Sequence, residues 1–254
     1  NVLPKPRQKP HPPMWIACTN RDTIKLAARN GLGALAFSFV DPDEAQTWVD
    51  TYYDIIKSEE CVPIGHTVNA NIALVAGFSM HEDRNTAIRR GQEGFEFFGY
   101  ALNALVAHDQ TPGRTNLWGE FQELSGPDNI ENKIAKAEAW GDEYASCIGA
   151  PADARRYLRG MQQANVDQII FLQQVGRNKH ADICHSLQLF ADEVMEEFSG
   201  NEADRQAKKD AELAPFIEAA LARKTYMEPL ADEDIPVVRA SVKKAQTSGR
   251  GGLG

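Results

Sequence analysis

The chain has 254 residues, of which 43% are hydrophobic and 25% charged, an ordinary mixture for a globular protein with room for one large domain or two small ones. Its formal net charge is −9 and it has no basic run, which excludes nucleic acid and anionic membrane surfaces as expected partners. No apolar stretch approaches the roughly 18 residues of a membrane span, and four scattered cysteines without a CxxC pair (Cys18, Cys61, Cys147, Cys184) argue against a disulfide framework or a zinc site. A cytoplasmic protein with reduced thiols and no metal is expected.

The start, NVLPKPRQKPHPP, has no signal-peptide core, and its Asn1 and five prolines read as the connector of a processed or truncated product. Met14 to Ala17 then forms a short apolar run of strand formers. After Cys18-Thr19-Asn20, apolar Ile24, Ala27 and Ala28 fall at helical spacing, with Asn20 or Asp22 as N-cap. Gly31 and Gly33 close that helix, and Ala34 to Phe39 forms the next apolar run. Asp41-Pro42 opens a helix over about 43–57. Strands joined by a helix, with continuous rather than alternating hydrophobicity, predict a parallel sheet covered on both faces.

A third strand is predicted over 68–76, followed by a helix over about 81–106 whose apolar face carries Phe95, Phe98, Leu102 and Leu105. Residues 109–139, punctuated by glycine and proline, read as an insertion with short helical pieces, of the kind that shapes active-site lids. Pro151 opens a further helix, VDQIIFL (166–172) is the clearest strand, and a helix over about 179–198 ends before Gly200. A charged helix (204–224) and a glycine-rich tail expected to be disordered complete the chain. The pattern amounts to repeated βα units, half of a barrel's complement or most of an open sheet.

PKPRQKPHPPMWIA (4–17) resembles the connector and fifth strand of the bacterial-luciferase-like flavin-dependent monooxygenases. IACTNRDTIKLAARNGLGALAFSF is similar to the strand, helix and strand that follow there, and the stretch from Ile148 to Phe198 is similar to the family's closing units. The resemblance implies an α/β fold of the (β/α)8 TIM-barrel type, of which this chain carries the C-terminal half, about strands five to eight. Residues 1–198 would form that part, with the insertion around 109–139, and 199–254 a helical extension and tail. It further implies a monooxygenase that oxidises a small organic substrate with O2 and reduced FMN, or a deazaflavin in some members. A separate flavin reductase and a homo-oligomeric full-length form are expected. The alternative is that this chain alone is a non-catalytic fragment or a flavin-binding accessory subunit.

The sharpest local candidates for cofactor binding are Thr19, Asn20 and Thr23. A loop that leaves a strand and opens a helix presents backbone N–H groups and hydroxyls to an anion, and the resemblance places the FMN phosphate at this loop. The same residues equally suit capping of the helix. Arg21 reads as solvated and Cys18 as a packed thiol. Gln173 and Gln174 follow the last strand and can reach a flavin ring edge with amide hydrogen bonds, or simply form a polar loop. His66, Asn69 and Asn71 stand at the start of the third strand, and His81-Glu82-Asp83 at its end reads as a cap cluster. His180 and His185 are five residues apart on one helix, which misaligns them for a shared metal. No nucleophile elbow, phosphate loop or dinucleotide fingerprint occurs, and the catalytic residues stay unassigned.

Overall fold

A computed structural model describes residues 4–36, 40–107, 114–226, 228 and 231–234. The first strand, β1 (Trp15–Cys18), leads into α1 (Arg21–Arg29), whose N-cap is Asn20: its extended backbone (φ −156°, ψ 171°) turns the side-chain oxygen onto the Thr23 N–H. The helix stops at Asn30, and Gly31 takes φ +64°, a left-handed conformation that leads the chain directly into β2 (Gly33–Ala36). Asp41 then caps α2 (Pro42–Ile56) by accepting the Glu44 N–H at 2.9 Å, with Pro42 preset for the first helical turn.

The third strand is β3 (Ile72–Gly77). It is shorter at its start than the apolar pattern predicts, because Asn69 is committed elsewhere. Its N–H donates to Gly31 O and its side-chain amide to Met14 O, while its own carbonyl accepts the Tyr52 hydroxyl. The clearest apolar run becomes β6 (Gln168–Leu172), which joins the sheet beside β3. The order is β1-β2-β3-β6 and every pairing is parallel. Among the described residues the sheet is open, with β1 and β6 at its edges.

Because side chains alternate along a strand, the register sorts them into two faces. Ile16, Cys18, Ala34, Ala36, Ile72, Leu74 and Ile169 look toward the helices and meet Ile24, Ala27 and Ala28 of α1 and Trp48, Tyr52 and Ile56 of α2. The alanines at 34 and 36 let helices approach closely, and each fully buried aliphatic side chain contributes about 1.5–3 kcal/mol. The other face carries Trp15, Leu35, Ala73, Val75 and Ile170. Here Trp15 is 36% and Ile170 40% exposed. Gly33 lies under the Trp15 ring, where a Cβ would come within 2.6 Å of it.

Beyond β3 the chain makes a two-residue strand, β4 (Ser79–Met80), and then α3 (Arg84–Ala107). Glycines set how closely α3 lies on its neighbours: Gly91 faces Ser79, and Phe95 covers Gly77 so tightly that a Cβ there would meet its ring at 2.6 Å. The apolar stripe predicted for this helix is covered at that end only, since Leu102 and Leu105 are 40% and 64% exposed. The predicted insertion supplies α4 (Leu117–Ser125) and α5 (Asn129–Trp140). A second short strand, β5 (Ile148–Gly149), pairs with β4, and Pro151 opens α6 (Pro151–Gln163). Neither short strand is visible as a sequence pattern.

The helix predicted over 179–198 is two helices, α7 (His180–Glu193) and α8 (Met195–Ser199). Val194 leaves helical geometry between them (φ −123°, ψ −42°) and is buried against a cluster that also receives Phe190 and Phe198. The last long helix, α9 (Glu202–Ala222), delivers Leu213 and Ala220 to the main core. Residues 224–254 cluster as a separate unit, of which the described part has a short turn at Asp232–Asp234 and Lys224 over the Tyr226 ring at 5.2 Å. The glycine-rich tail and residues 37–39 lie outside the described residues. No helix is long and apolar enough to cross a membrane among those described.

Candidate functional site

A covered parallel sheet offers ligands the C-terminal ends of its strands, where loops replace the hydrogen-bond ladder. At the end of β1 the chain passes from buried Cys18 through exposed Thr19 and Asn20 into α1. Asn20 Oδ1 accepts both the Thr23 N–H (3.0 Å) and the Thr23 hydroxyl (3.1 Å). The sequence candidates Asn20 and Thr23 are thus brought into contact as a cap, with Thr19 directly before it. The helix also carries Asp22 in its first turn, and Arg21 faces Glu44 at 3.9 Å. Cys18 donates to Ile16 O, and burial pushes its thiol up to about 11, so it is protonated at neutral pH.

At the end of β3 lies a cleft of about 300 Å³. Val75 and Gly77 form its floor, Phe95 comes from α3, Lys133 and Trp140 from α5, and Tyr144 from the loop beyond. Lys133 binds Glu96 at 2.7 Å. Burial alone would raise the Glu96 carboxyl, but hydrogen bonds from Lys133, Gln92 and Asn129 outweigh it and hold the group ionised. Lys136, also on the rim, lies over the Trp140 ring at 5.4 Å. Burial pushes the titrations of Tyr144, Cys147 and Tyr157 upward, so none of these three is a proton carrier near neutrality. The cleft therefore offers an apolar floor, aromatic walls and the Lys136 ammonium, Lys133 being balanced by Glu96, which suit a flat ligand with a negatively charged edge.

Beside it, α3 meets the loop after β6. A Cβ at Gly176 would stand 2.8 Å from the Gly94 Cα, and the Arg177 guanidinium lies 4.7 Å from the Trp118 ring centroid. In this region two buried polar atoms have no partner, Trp118 Nε1 and Gln173 Oε1. An unpartnered buried acceptor costs about 1–3 kcal/mol unless something reaches it. Gln173 was legible as a candidate from its place after the last strand, whereas Trp118 and the α5 side of the cleft sit in the insertion, where weak periodicity hid them. Gln174 is exposed.

The remaining histidines divide. His66 lies at the opposite end of the sheet, where its N–H donates to His11 Nε2. His180 and His185 do not converge on each other. Instead His185 faces His81 from across the fold, with ring centroids 5.2 Å apart, and Glu82 reaches both. Asp83 diverges from Glu82 and caps α3 through Thr86. Ser186 sets this meeting: its hydroxyl accepts the Met80 N–H at 2.9 Å and shares its one proton between Met80 O and Asp182 O, each 2.9 Å away.

Two buried carboxylates escaped sequence reasoning because their partners are remote in the chain. Asp153, with no exposed surface, receives Arg84 through two bonds (2.9 and 2.7 Å), Arg156 at 2.6 Å and the Ala150 N–H at 2.8 Å, joining α3 to α6. Asp167, with a side chain 2% exposed, stands at the N-terminal ends of β3 and β6. It accepts Tyr53 (2.6 Å), the Ile72 N–H (2.8 Å), Lys209 (2.7 Å) and Arg205 (3.1 Å).

Comparison with protein-family models matches residues 1–168 to the model described as luciferase-like monooxygenase. Among solved structures, a monooxygenase from Streptomyces bottropensis, RslO1, is similar at 19% identity and a TM-score of 0.52, covering 77% of this chain and 51% of its own. Apo-MsnO8 matches at 18% identity and a TM-score of 0.47, over 74% of this chain and 52% of its own. The coenzyme F420 dependent tetrahydromethanopterin reductase from Methanopyrus kandleri matches at 18% and 0.41, over 73% and 51%. The chain thus spans about half the length of these solved chains. No curated protein sequence matches.

Proposed function

We propose, from the premise that this chain belongs to the luciferase-like monooxygenase family, that it forms part of a flavin-dependent monooxygenase acting on a small organic substrate with molecular oxygen. The observation that carries the reading is the cleft at the C-terminal end of β3, whose aromatic walls and Lys136 ammonium suit a flat cofactor with a negatively charged edge. A reduced flavin, when bound, supplies the electrons that activate oxygen. Thr19, Asn20 and Thr23 would hold its phosphate at the start of α1, where the Arg21 and Asp22 N–H groups have no earlier helical carbonyl and the Thr23 hydroxyl would turn its proton from Asn20 Oδ1 to a phosphate oxygen. Gln173 Oε1 is an unused acceptor of the kind that takes an N–H from a ring edge. Phe95 and Val75 keep water from the floor of the cleft, and burial keeps Tyr144, Cys147 and Tyr157 protonated and uncharged beside it.

In this reading β1, β2, β3 and β6 are the fifth to eighth strands of a (β/α)8 barrel, residues 1–198 belong to it, and 199–254 extend it. The bare face with Trp15 and Ile170 would then look into the barrel's interior. That same face favours a second reading for the chain taken by itself, a non-catalytic piece or accessory subunit whose pocket needs another half. A separate reductase would deliver the reduced flavin, and the full-length protein would be a homo-oligomer.

Titration of the purified chain with oxidised and then reduced FMN, followed by flavin fluorescence, with a parallel titration by a deazaflavin, tests the reading. Micromolar FMN binding with oxygen consumption supports it, and FMN binding without oxygen consumption marks a flavin-binding accessory subunit. Preference for the deazaflavin moves the chemistry to hydride transfer, and a folded chain that binds neither is a non-catalytic fragment.

A further inference from the structure

We infer that His81, Glu82 and His185 form a binding site for a borderline divalent transition-metal ion such as Zn(II), Co(II) or Ni(II). The three residues come from the loop before α3 and from α7, 104 positions apart in sequence, and their ligating atoms all lie within 4.8 Å of one another. Glu82 straddles the pair, with one oxygen 3.5 Å from His81 Nδ1 and the other 3.4 Å from His185 Nε2. Charge-assisted hydrogen bonds are shorter, about 2.7–2.9 Å. Two atoms each roughly 2.0–2.2 Å from a tetrahedral ion, by contrast, stand about 3.4 Å apart. Each Glu82 oxygen thus stands at a coordination-edge distance from one imidazole, as for a carboxylate that binds through both oxygens.

Preorganisation supports the assignment. Ser186 is buried and bonds both backbone groups of Met80, so the residue after Met80, His81, and the residue before Ser186, His185, are held at fixed separation by a bracket that owes nothing to the histidines themselves. Two imidazoles and a single carboxylate, with an open side toward water, select a borderline ion over calcium or magnesium, which take oxygen ligands. Asp83 stays out of the site because Thr86 occupies its carboxylate. In the ion-free state His81 Nδ1 accepts the Asp83 N–H at 3.0 Å and His185 Nδ1 faces Arg90 at 3.3 Å. Loading therefore exchanges the Asp83 amide for the ion at His81 and moves the His185 proton from Nε2 to Nδ1, Arg90 keeping its contact with Asp182 at 3.3 Å.

The test is calorimetric titration of the untagged chain with Zn(II), together with the visible spectrum of the Co(II) form. One equivalent bound at micromolar affinity, with the intense absorption of a four-coordinate ion, is expected. His185→Ala and Glu82→Gln should each weaken binding roughly ten-fold or more, the second without touching any helix. His180→Ala is the control, because His180 Nε2 lies 3.5 Å from Cys184 Sγ and offers the competing pair. Absence of binding, binding unaffected by His185→Ala and Glu82→Gln, or loss with His180→Ala alone overturns the assignment.

Discussion

The two ends of the sheet are finished in opposite ways. At the N-terminal ends of β3 and β6, Asp167 accepts four hydrogen bonds from Tyr53, Ile72, Lys209 and Arg205. Its negative charge and its acceptor capacity are used up within the protein. At the C-terminal ends, a cleft stays open, Gln173 Oε1 and Trp118 Nε1 lack partners, and a carboxylate lies between two imidazoles without a close bond to either. A cavity of about 560 Å³ also lies beside Asp167, so the ends differ in how their polar groups are satisfied and not in open space. One end ties strands together with fully bonded charges and the other leaves polar groups unmet, the division that parallel βα folds make between stability and chemistry.

The largest effect that tests this division is at Asp167. Asp167→Ala leaves a hydroxyl, an amide and two cations facing a buried gap, and should cost about 3–5 kcal/mol, read as a lower denaturation midpoint at unchanged slope. A loss under about 1 kcal/mol would place this pair among weak surface ion pairs and dissolve the contrast. Thr23→Val sharpens the other side. The backbone cap from Thr23 N–H to Asn20 survives, so folding stability should change little, while FMN affinity falls by roughly 1–2 kcal/mol if the hydroxyl meets the phosphate. Equal binding would leave Thr23 as a helix-start residue only.

The smallest perturbation uses thiols. Cys18, Cys61 and Cys147 are buried and Cys184 is exposed. A disulfide reagent at pH 8 should therefore titrate one thiol in the folded chain and four after denaturation. The sign follows from burial: a thiol pushed up to about 11, as for Cys18, is protonated below that pH, and at pH 8 roughly one part in a thousand is thiolate. Rapid native reaction of Cys18 or Cys147 would mean that the C-terminal end opens more than its packing shows.

What the sequence made legible follows from locality. The periodicity of Ile24, Ala27 and Ala28 and the cap at Asn20 lie within one turn, and they predict α1 directly. The parallel sheet is legible from its nearly continuous apolar strands, but the coverage on both faces that this pattern predicts is not met among the described residues, where Trp15 and Ile170 stand exposed. β4 and β5 were not, since two residues carry no period. The break at Val194 was hidden by an unbroken helical spacing that ignores where Phe190 and Phe198 have to pack. The loop at Thr19, Asn20 and Thr23 and the amide of Gln173 are readable as candidates from their position after strands, although none of the four lines the cleft at the end of β3. The cleft wall from α5 and the meeting of His81 with His185 were invisible, because both depend on contacts between segments far apart in the chain. Spacing along one helix relates His185 to His180 only and carries nothing about His81, 104 residues away.

The hydroxyl of Ser186 has one more consequence. In a parallel ladder, successive residues bond to opposite sides, and β4 spends the Ser79 and His81 N–H groups on β5, leaving Met80 to face away from it. A neighbouring strand would normally take the N–H and the carbonyl of that residue. Here a single helical side chain takes both, acting as a one-residue imitation of the missing strand. The short sheet is thereby closed on its outer side without an added strand, and its edge is denied to any other chain that would pair there.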